Sequence, residues 1–242
     1  YVNAGSYAPD VTGLDPTKTQ SNTILDLITC VTERTGTDAY TDADPGPSAY
    51  VGGAAQGSSN DNYSADGHCN RNNSGAPLPQ VMPLTNDKVA LLSTVESFTP
   101  AGTTAGHLGT AWAWYALAPS WNAIWGLAQP PAAYTDEKVF KAVVLMTDGF
   151  YNTQYTSTES RDQALALCAA MKTAGLTVYT VGLGFAPSGA PADELLAKDT
   201  LTQCASGAGH YFFPYDGDAL RAAFTQIGQQ VTTAAGNALL SN

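Results

Sequence analysis

The chain has 242 residues and sets 21 Asp and Glu against 10 Lys and Arg, for a net charge of −11. With no basic patch to neutralise phosphates, nucleic-acid binding is excluded, and the same charge disfavours an anionic membrane surface. No run of about 18 apolar residues is present to span a bilayer, and no charged-then-apolar leader opens the sequence.

Only 13% of residues are charged, while Gly, Ser, Thr and Asn abound, the balance of a secreted or surface protein. The cysteines Cys30, Cys69, Cys168 and Cys204 are far apart and form no C-x-x-C. That spacing argues for disulfides over a zinc or redox site. Four cysteines allow three pairings. Sequence order suggests Cys30–Cys69 and Cys168–Cys204, each bracketing a local unit, with four free buried thiols as the alternative.

In chain order, "YVNAGSY" reads as extended and "NTILDLITCVTER" as a short helix. A polar tract follows, from "TDADPGPSAY" to "GAPLPQ", rich in Gly, Ser, Asn, Asp and Pro and loop by composition. A Cys30–Cys69 bridge ties down its base, so residues 20–80 read as a disulfide-tied, loop-rich insertion. "QVMPLT" reads as a short strand. "NDKVALLSTVESF" has helical spacing at Val89, Leu92, Val95 and Phe98, with Thr85 or Asn86 as cap. "AGHLGTAWAWYALAP" reads as a helix stopped by Pro119, and "KVFKAVVLMT" as a buried strand. "ESRDQALALCAAMKTAG" is a helix closed by Gly175, and "LTVYTVGLGF" a second buried strand. Then come the helix "ADELLAKDTLTQCAS", the strand "HYFFPY" and the helix "DGDALRAAFTQIGQQV", capped by Asp216. Strands alternating with helices imply an α/β fold, a doubly wound, mostly parallel sheet with helices on both faces. Such a sheet binds ligands outside the carboxyl ends of its strands, where Asp148 stands.

"VVLMTDG" followed by "LTVYTVGLGF" resembles the von Willebrand factor A domain. "PLTND", "TCVTER", "CASGAGHYFFPYD" and "LRAAFTQIGQQV" resemble the A domain of TadG-like proteins of the bacterial tight-adherence (Flp) pilus system, so that residues 1–242 read as one such domain. The resemblance implies a metal-ion-dependent adhesion site built from three loops: an Asp-x-Ser-x-Ser, a Thr and an Asp. Asp148 matches the third loop. Thr104 in "PAGTT" matches the second, with Thr103 one register away, and a helix N-cap is the structural alternative for Thr104. For Asp148 the alternative is a turn or capping residue. Mg²⁺, or Ca²⁺ or Mn²⁺, takes such oxygen ligands, and few charged ligands leave it able to recruit a partner's carboxylate.

The first loop has no match. "YVNAGSY" resembles the second strand of the family, so the first central strand and its helix are expected to be missing from this chain. Asp15-Pro16-Thr17-Lys18-Thr19 is the nearest pattern, but no apolar run precedes it. Tyr1 is not Met, so the sequence reads as a processed or trimmed product. A separate amino-terminal segment or chain is expected to complete the sheet by strand addition and to supply the remaining ligands.

The function implied is a non-enzymatic, extracytoplasmic adhesion or assembly component, associated with a pilus or cell surface and partnered by a protein or a glycan. A structural pilin-like subunit without a working metal site is the second reading. A secreted hydrolase using Asp148 and His107 is the third, and no Gly-x-Ser-x-Gly elbow or P-loop supports it. His107 reads as a surface or packing histidine, and Asp42-x-Asp44 as a solvated turn. "NDNYSADG" lacks the first Asp and closing Glu of a calcium loop. Of Trp112, Trp114, Trp121 and Trp125, one is expected in the core. The others are open between an exposed aromatic patch and ordinary packing.

Overall fold

The computed structural model describes residues 31–45, 49, 51–52, 81–98, 104–186 and 189–240. These divide into two compact units, with 40–42, 81–86, 104–186 and 189–240 in one and the remainder in the other. Cys30, Cys69, Thr103, His68, the segment 15–19 and "NDNYSADG" lie outside the described residues.

In the smaller unit the expected helix at "VTER" is absent. Val31 makes a β-bridge, and the Thr32 N–H donates to the Gly52 C=O at 2.8 Å. Pairing with a distant residue overrides the local helical pattern. A Cβ on Gly52 would collide with the Thr32 hydroxyl, so glycine is what lets the two segments approach. Helix α1 spans Lys88–Glu96. Its cap is Asp87, one residue beyond the sequence expectation, whose carboxylate accepts from the N–H groups of Val89 and Ala90. None of its residues is buried, and Val89, Leu92, Val95 and Phe98 are exposed.

In the larger unit, residues 81–85 are not a strand. Pro83 there removes a ladder donor. Helix α2 (Gly106–Leu117) ends before Pro119, which opens a short 3-10 turn leading into the single turn α3 (Asn122–Trp125). Strand β1 (Ala142–Thr147) and helix α4 (Ser160–Thr173) follow, the latter closed by Gly175 at φ 91°. Strand β2 (Thr177–Gly182), helix α5 (Ala192–Cys204), the two-residue strand β3 (Tyr211–Phe212) and helix α6 (Gly217–Leu240) complete the unit. Asp216 caps α6 through the N–H groups of Asp218 and Ala219. The helix runs nine residues past the expected Val231, because "TTAAGNALL" contains no proline and is rich in good helix formers.

The sheet is parallel in the order β1-β2-β3, with Val144 opposite Tyr179 and Val181 opposite Phe212. Helices flank both faces. Tyr179 and Val181 turn to α6 and bury against Ile227, with Phe212 and Leu220 beside them. Thr180, between them, turns the other way and donates to the Leu201 carbonyl of α5 at 3.0 Å. Helices α4 and α5 pack on β2, and α2 packs on β1 and α4. A disulfide joins Cys168 of α4 to Cys204 of α5, Cα to Cα 5.1 Å, matching the expected second pair. Every residue of β2 after Thr177 is buried. In β1, Val143 and Leu145 are buried, while Val144 and Met146, on the α6 face, are 38% and 48% exposed. Among the described residues β1 is paired on one side only.

The tryptophans are packing residues. Trp114 and Trp121 are buried, and Trp112 and Trp125 are half-buried in the same ring cluster. Trp121 stacks on Tyr115 with centroids 4.0 Å apart, and Trp112 meets both edge-on at 5.5 Å.

Candidate functional site at the carboxyl edge of the sheet

Strand β1 ends in Thr147, whose carbonyl accepts the Leu183 N–H after β2 at 2.9 Å. Its hydroxyl then folds the chain: Oγ1 accepts the Gly149 N–H at 3.1 Å and donates to the Gly149 carbonyl at 3.2 Å. This turn sets Asp148 on the outside. Asp148 is exposed, and among the described residues its carboxylate accepts no hydrogen bond. The turn is thus closed by Thr147 and not by the Asp148 side chain, the role considered as its alternative.

Thr104 lies against this turn. A Cβ placed on Gly149 would sit 3.5 Å from Thr104 Oγ1. The Thr104 N–H donates to Asn152 Oδ1 at 3.0 Å, and the Thr104 carbonyl accepts from the N–H groups of Asn152 and Thr153 at 3.0 and 3.2 Å. The fold therefore brings together the two loops that the sequence singled out. The N-cap of α2 is Ala105, with no side-chain cap bond, so Thr104 does not cap the helix. Among the described residues the Thr104 hydroxyl accepts and donates no hydrogen bond.

Three further contacts fix the loops. The Tyr151 ring lies against Gly106, where a Cβ would collide with it. Burial raises the Tyr151 pKa, and a hydrogen bond with Thr110 opposes the rise. His107 Nδ1 and Ser160 Oγ, both buried, are 2.8 Å apart and tie the start of α2 to the start of α4. Gln163 Nε2 donates to the Thr158 carbonyl at 2.7 Å and anchors the end of the loop on α4. His107 is thus a packing histidine, as its sequence context suggested. Asn152, Tyr151, Gly106 and Ser160 carried no signal of their own, because each partner lies far along the chain.

Asp148 and Thr104 are hard oxygen donors on adjoining loops, which fits Mg²⁺ or Ca²⁺ in kind but not in number. Among the described residues no three His, Cys, Asp or Glu side chains gather to hold a metal ion.

A second polar cluster lies at the other end of β1. Asp42 is no solvated turn residue. Its Oδ2 accepts from the Tyr134 hydroxyl at 2.6 Å, and its carbonyl accepts from Trp121 Nε1 at 3.0 Å. Trp114 Nε1 donates to the Tyr134 oxygen at 3.0 Å, and the buried Lys141 ammonium sits 4.5 Å over the Tyr134 ring while donating to the Leu117 carbonyl. Burial, then the Asp42 carboxylate, pushes the Tyr134 pKa well above the usual tyrosine value. Burial lowers that of Lys141, and the Asp42 charge partly offsets the drop.

No family model matches the chain, and no curated protein matches it. Among solved structures the chain is similar to the pilus adhesin SpaC from Lactobacillus rhamnosus GG in its open conformation, at 14% identity and a TM-score of 0.42. The match covers 61% of this chain and 21% of that adhesin. The fold assignment rests instead on the parallel sheet and the helices on its two faces.

Proposed function

We propose that this chain is a non-enzymatic adhesion or assembly component of the von Willebrand factor A type, resembling the TadG-like proteins of tight-adherence pili. In this reading residues 1–242 form one A-type domain, and residues 20–80 are a loop-rich insertion within it. Asp148 and Thr104 are two oxygen ligands of a Mg²⁺ site, which Ca²⁺ or Mn²⁺ would also suit. These residues would hold the metal under-neutralised, and a bound ion would supply a coordination position for a carboxylate from a surface protein or a glycan. The observation that carries this reading is the clamp between Thr104 and the 149–153 turn, which presents both side chains at the carboxyl edge of a parallel sheet.

The remaining ligands would come with a strand that adds to the open side of β1, from a separate segment or chain. The exposed Val144 and Met146 beside that edge support strand addition. The Cys168–Cys204 bridge supports an extracytoplasmic setting, where disulfides persist. No helix among the described residues is long and apolar enough to cross a membrane.

A structural pilin-like subunit without a working metal site is the second reading, favoured by the absence, among the described residues, of any cluster of three His, Cys, Asp or Glu side chains. A hydrolase gains nothing from Ser160, whose hydroxyl lies 2.8 Å from His107 Nδ1, because both are buried. Calorimetric titration of the intact chain with Mg²⁺, against Asp148→Ala, tests the proposal. Lost binding in the variant supports it, and equal affinity rules out Asp148 as a ligand.

A further inference from the structure

We infer that the pair Asp148 and Gly149 is a site of spontaneous covalent modification, at which Asp148 isomerises to the β-linked form. The sequence holds three Asp-Gly pairs, at 66–67, 148–149 and 216–217, and the first lies outside the described residues. The reaction begins when the backbone nitrogen that follows an aspartate attacks its side-chain carboxyl. Glycine in second place leaves that nitrogen unshielded, because it carries no Cβ. The fold treats the two described pairs differently, and that contrast decides which one reacts.

At Asp216 the carboxylate is occupied. Its Oδ1 accepts from the N–H groups of Asp218 and Ala219 at 3.1 and 2.8 Å, and these bonds cap α6. Closing a ring onto the Gly217 nitrogen would pull the carboxyl out of the cap and fray the first turn of the helix. Nothing comparable holds Asp148. It follows the last residue of β1, it is exposed, and among the described residues its carboxylate accepts no hydrogen bond. The Gly149 nitrogen is restrained by one side chain among the described residues. Its N–H donates to Thr147 Oγ1 at 3.1 Å, and the same hydroxyl donates to the Gly149 carbonyl at 3.2 Å.

Water is the only co-reactant. The Gly149 nitrogen forms a bond to Asp148 Cγ, and one carboxyl oxygen leaves as water, taking the amide proton and a proton from solvent. Water then reopens the succinimide, returning the proton to nitrogen and releasing the other to solvent. Attack at Cγ restores aspartate. Attack at the main-chain carbonyl carbon breaks its bond to nitrogen instead. The chain then runs through Cβ and Cγ, and the former main-chain carboxyl becomes the side group. The product keeps the mass and charge of the parent but has one more methylene in the main chain, inside the turn that Thr147 closes. No step involves a metal, so the modification is independent of the proposed Mg²⁺ site.

The test is ageing of the intact chain in EDTA at physiological temperature, with isoaspartate located by methyltransferase labelling and by electron-based fragmentation of the peptides. β-Linked Asp148 should form faster than β-linked Asp216 by about fivefold or more, the rate equivalent of one helix cap. In the urea-unfolded chain the two pairs should react alike, which ties the difference to the fold. Thr147→Val removes the hydroxyl that holds Gly149 and should speed the reaction at Asp148. Gly149→Ala puts a methyl beside the nitrogen and should slow it. The added Cβ would lie 3.5 Å from Thr104 Oγ1, an ordinary contact, and Gly149 has no positive φ, so this variant should fold. Asp148 reacting no faster than Asp216 in the folded chain would overturn the inference. So would a rate at Asp148 left unchanged by Gly149→Ala.

Discussion

Asn152 holds Thr104 from both sides of the threonine's backbone: its Oδ1 takes the Thr104 N–H, and its own N–H goes to the Thr104 carbonyl, each at 3.0 Å. The two residues are 48 positions apart, so this pair joins the two loops that the proposed metal site requires. Replacing Asn152 with Ala removes the acceptor and should cost about 1 kcal/mol of stability. On the proposed function it should also weaken Mg²⁺ binding by tenfold or so, about 1.4 kcal/mol. Asn152→Asp keeps the acceptor and should retain the clamp. Thermal melts and Mg²⁺ calorimetry on the two variants separate the effects. An alanine variant that binds Mg²⁺ like the parent would show that the clamp does not position a ligand.

The second contact between these loops is steric. The Tyr151 ring occupies the space where a side chain at Gly106 would project. Gly106→Ala should therefore destabilise the chain by about 1–3 kcal/mol, although alanine favours helix. Adding Tyr151→Ala opens the space and should make the Gly106 substitution close to neutral in that background. Urea midpoints over the four-member cycle measure the coupling, and additive costs would mean the two residues do not clash.

The parts of the fold legible in the sequence are those written in local periodicity. The runs "AVVLMT" and "TVYTVG" gave β1 and β2, Gly175 marked the end of α4, and Asp216 marked the start of α6. Asp148 was legible for the same reason, because an apolar strand running into Thr-Asp-Gly puts a carboxylate at a sheet edge. What escaped was decided by distant partners. Val31–Arg34 looked helical but forms no helix, because Thr32 pairs with Gly52. Asp42 looked like a turn residue, yet its carboxylate is engaged by Tyr134, 92 positions away. Asn152 resembles any polar loop residue until Thr104 is beside it.

The Cys168–Cys204 bridge should be a major stabilising element of the larger unit. Both cysteines are fully buried, and the bridge closes a loop of 36 residues between α4 and α5. Chain-entropy arguments give about 4 kcal/mol for a loop of that size. Reduction, or replacement of both residues by Ala, should lower the guanidinium midpoint accordingly. A midpoint unchanged by reductant would mean that packing of α4 on α5 is sufficient without the covalent link.

Alkaline pH should destabilise the chain through its tyrosines. Burial raises the pKa of Tyr134, Tyr151 and Tyr179, with the Asp42 carboxylate adding to the effect at Tyr134. Above the ordinary value of 10.0 the unfolded chain releases these protons while the folded chain keeps them. Stability is therefore fully present below pH 10 and falls as pH rises further. Lys141 acts in the opposite sense. Burial lowers its pKa, so between its folded value and 10.5 the unfolded chain binds more protons and stability rises with pH. Urea midpoints should thus fall steeply only beyond about pH 10. Tyr134→Phe should flatten that fall, and an equally steep fall in the variant would remove Tyr134 as a contributor.

Backbone register tells which amides of β1 face its open side. The Lys141 and Thr147 carbonyls accept from Thr177 and Leu183 on the β2 side. In a parallel ladder alternate residues point both backbone groups the same way, so Val143 and Leu145 also face β2. The N–H groups of Val144 and Met146 then point away from β2, beside side chains that are 38% and 48% exposed. Hydrogen exchange should be fast at Val144 and Met146 and slow at Val143 and Leu145. Addition of a strand at this edge, as proposed, should protect the first pair without changing the second. Val144→Lys should block that addition through charge on the edge at a stability cost of about 0.5 kcal/mol or less. If Val144 and Met146 exchange as slowly as Leu145 in the isolated chain, the edge is already occupied and strand addition there is excluded.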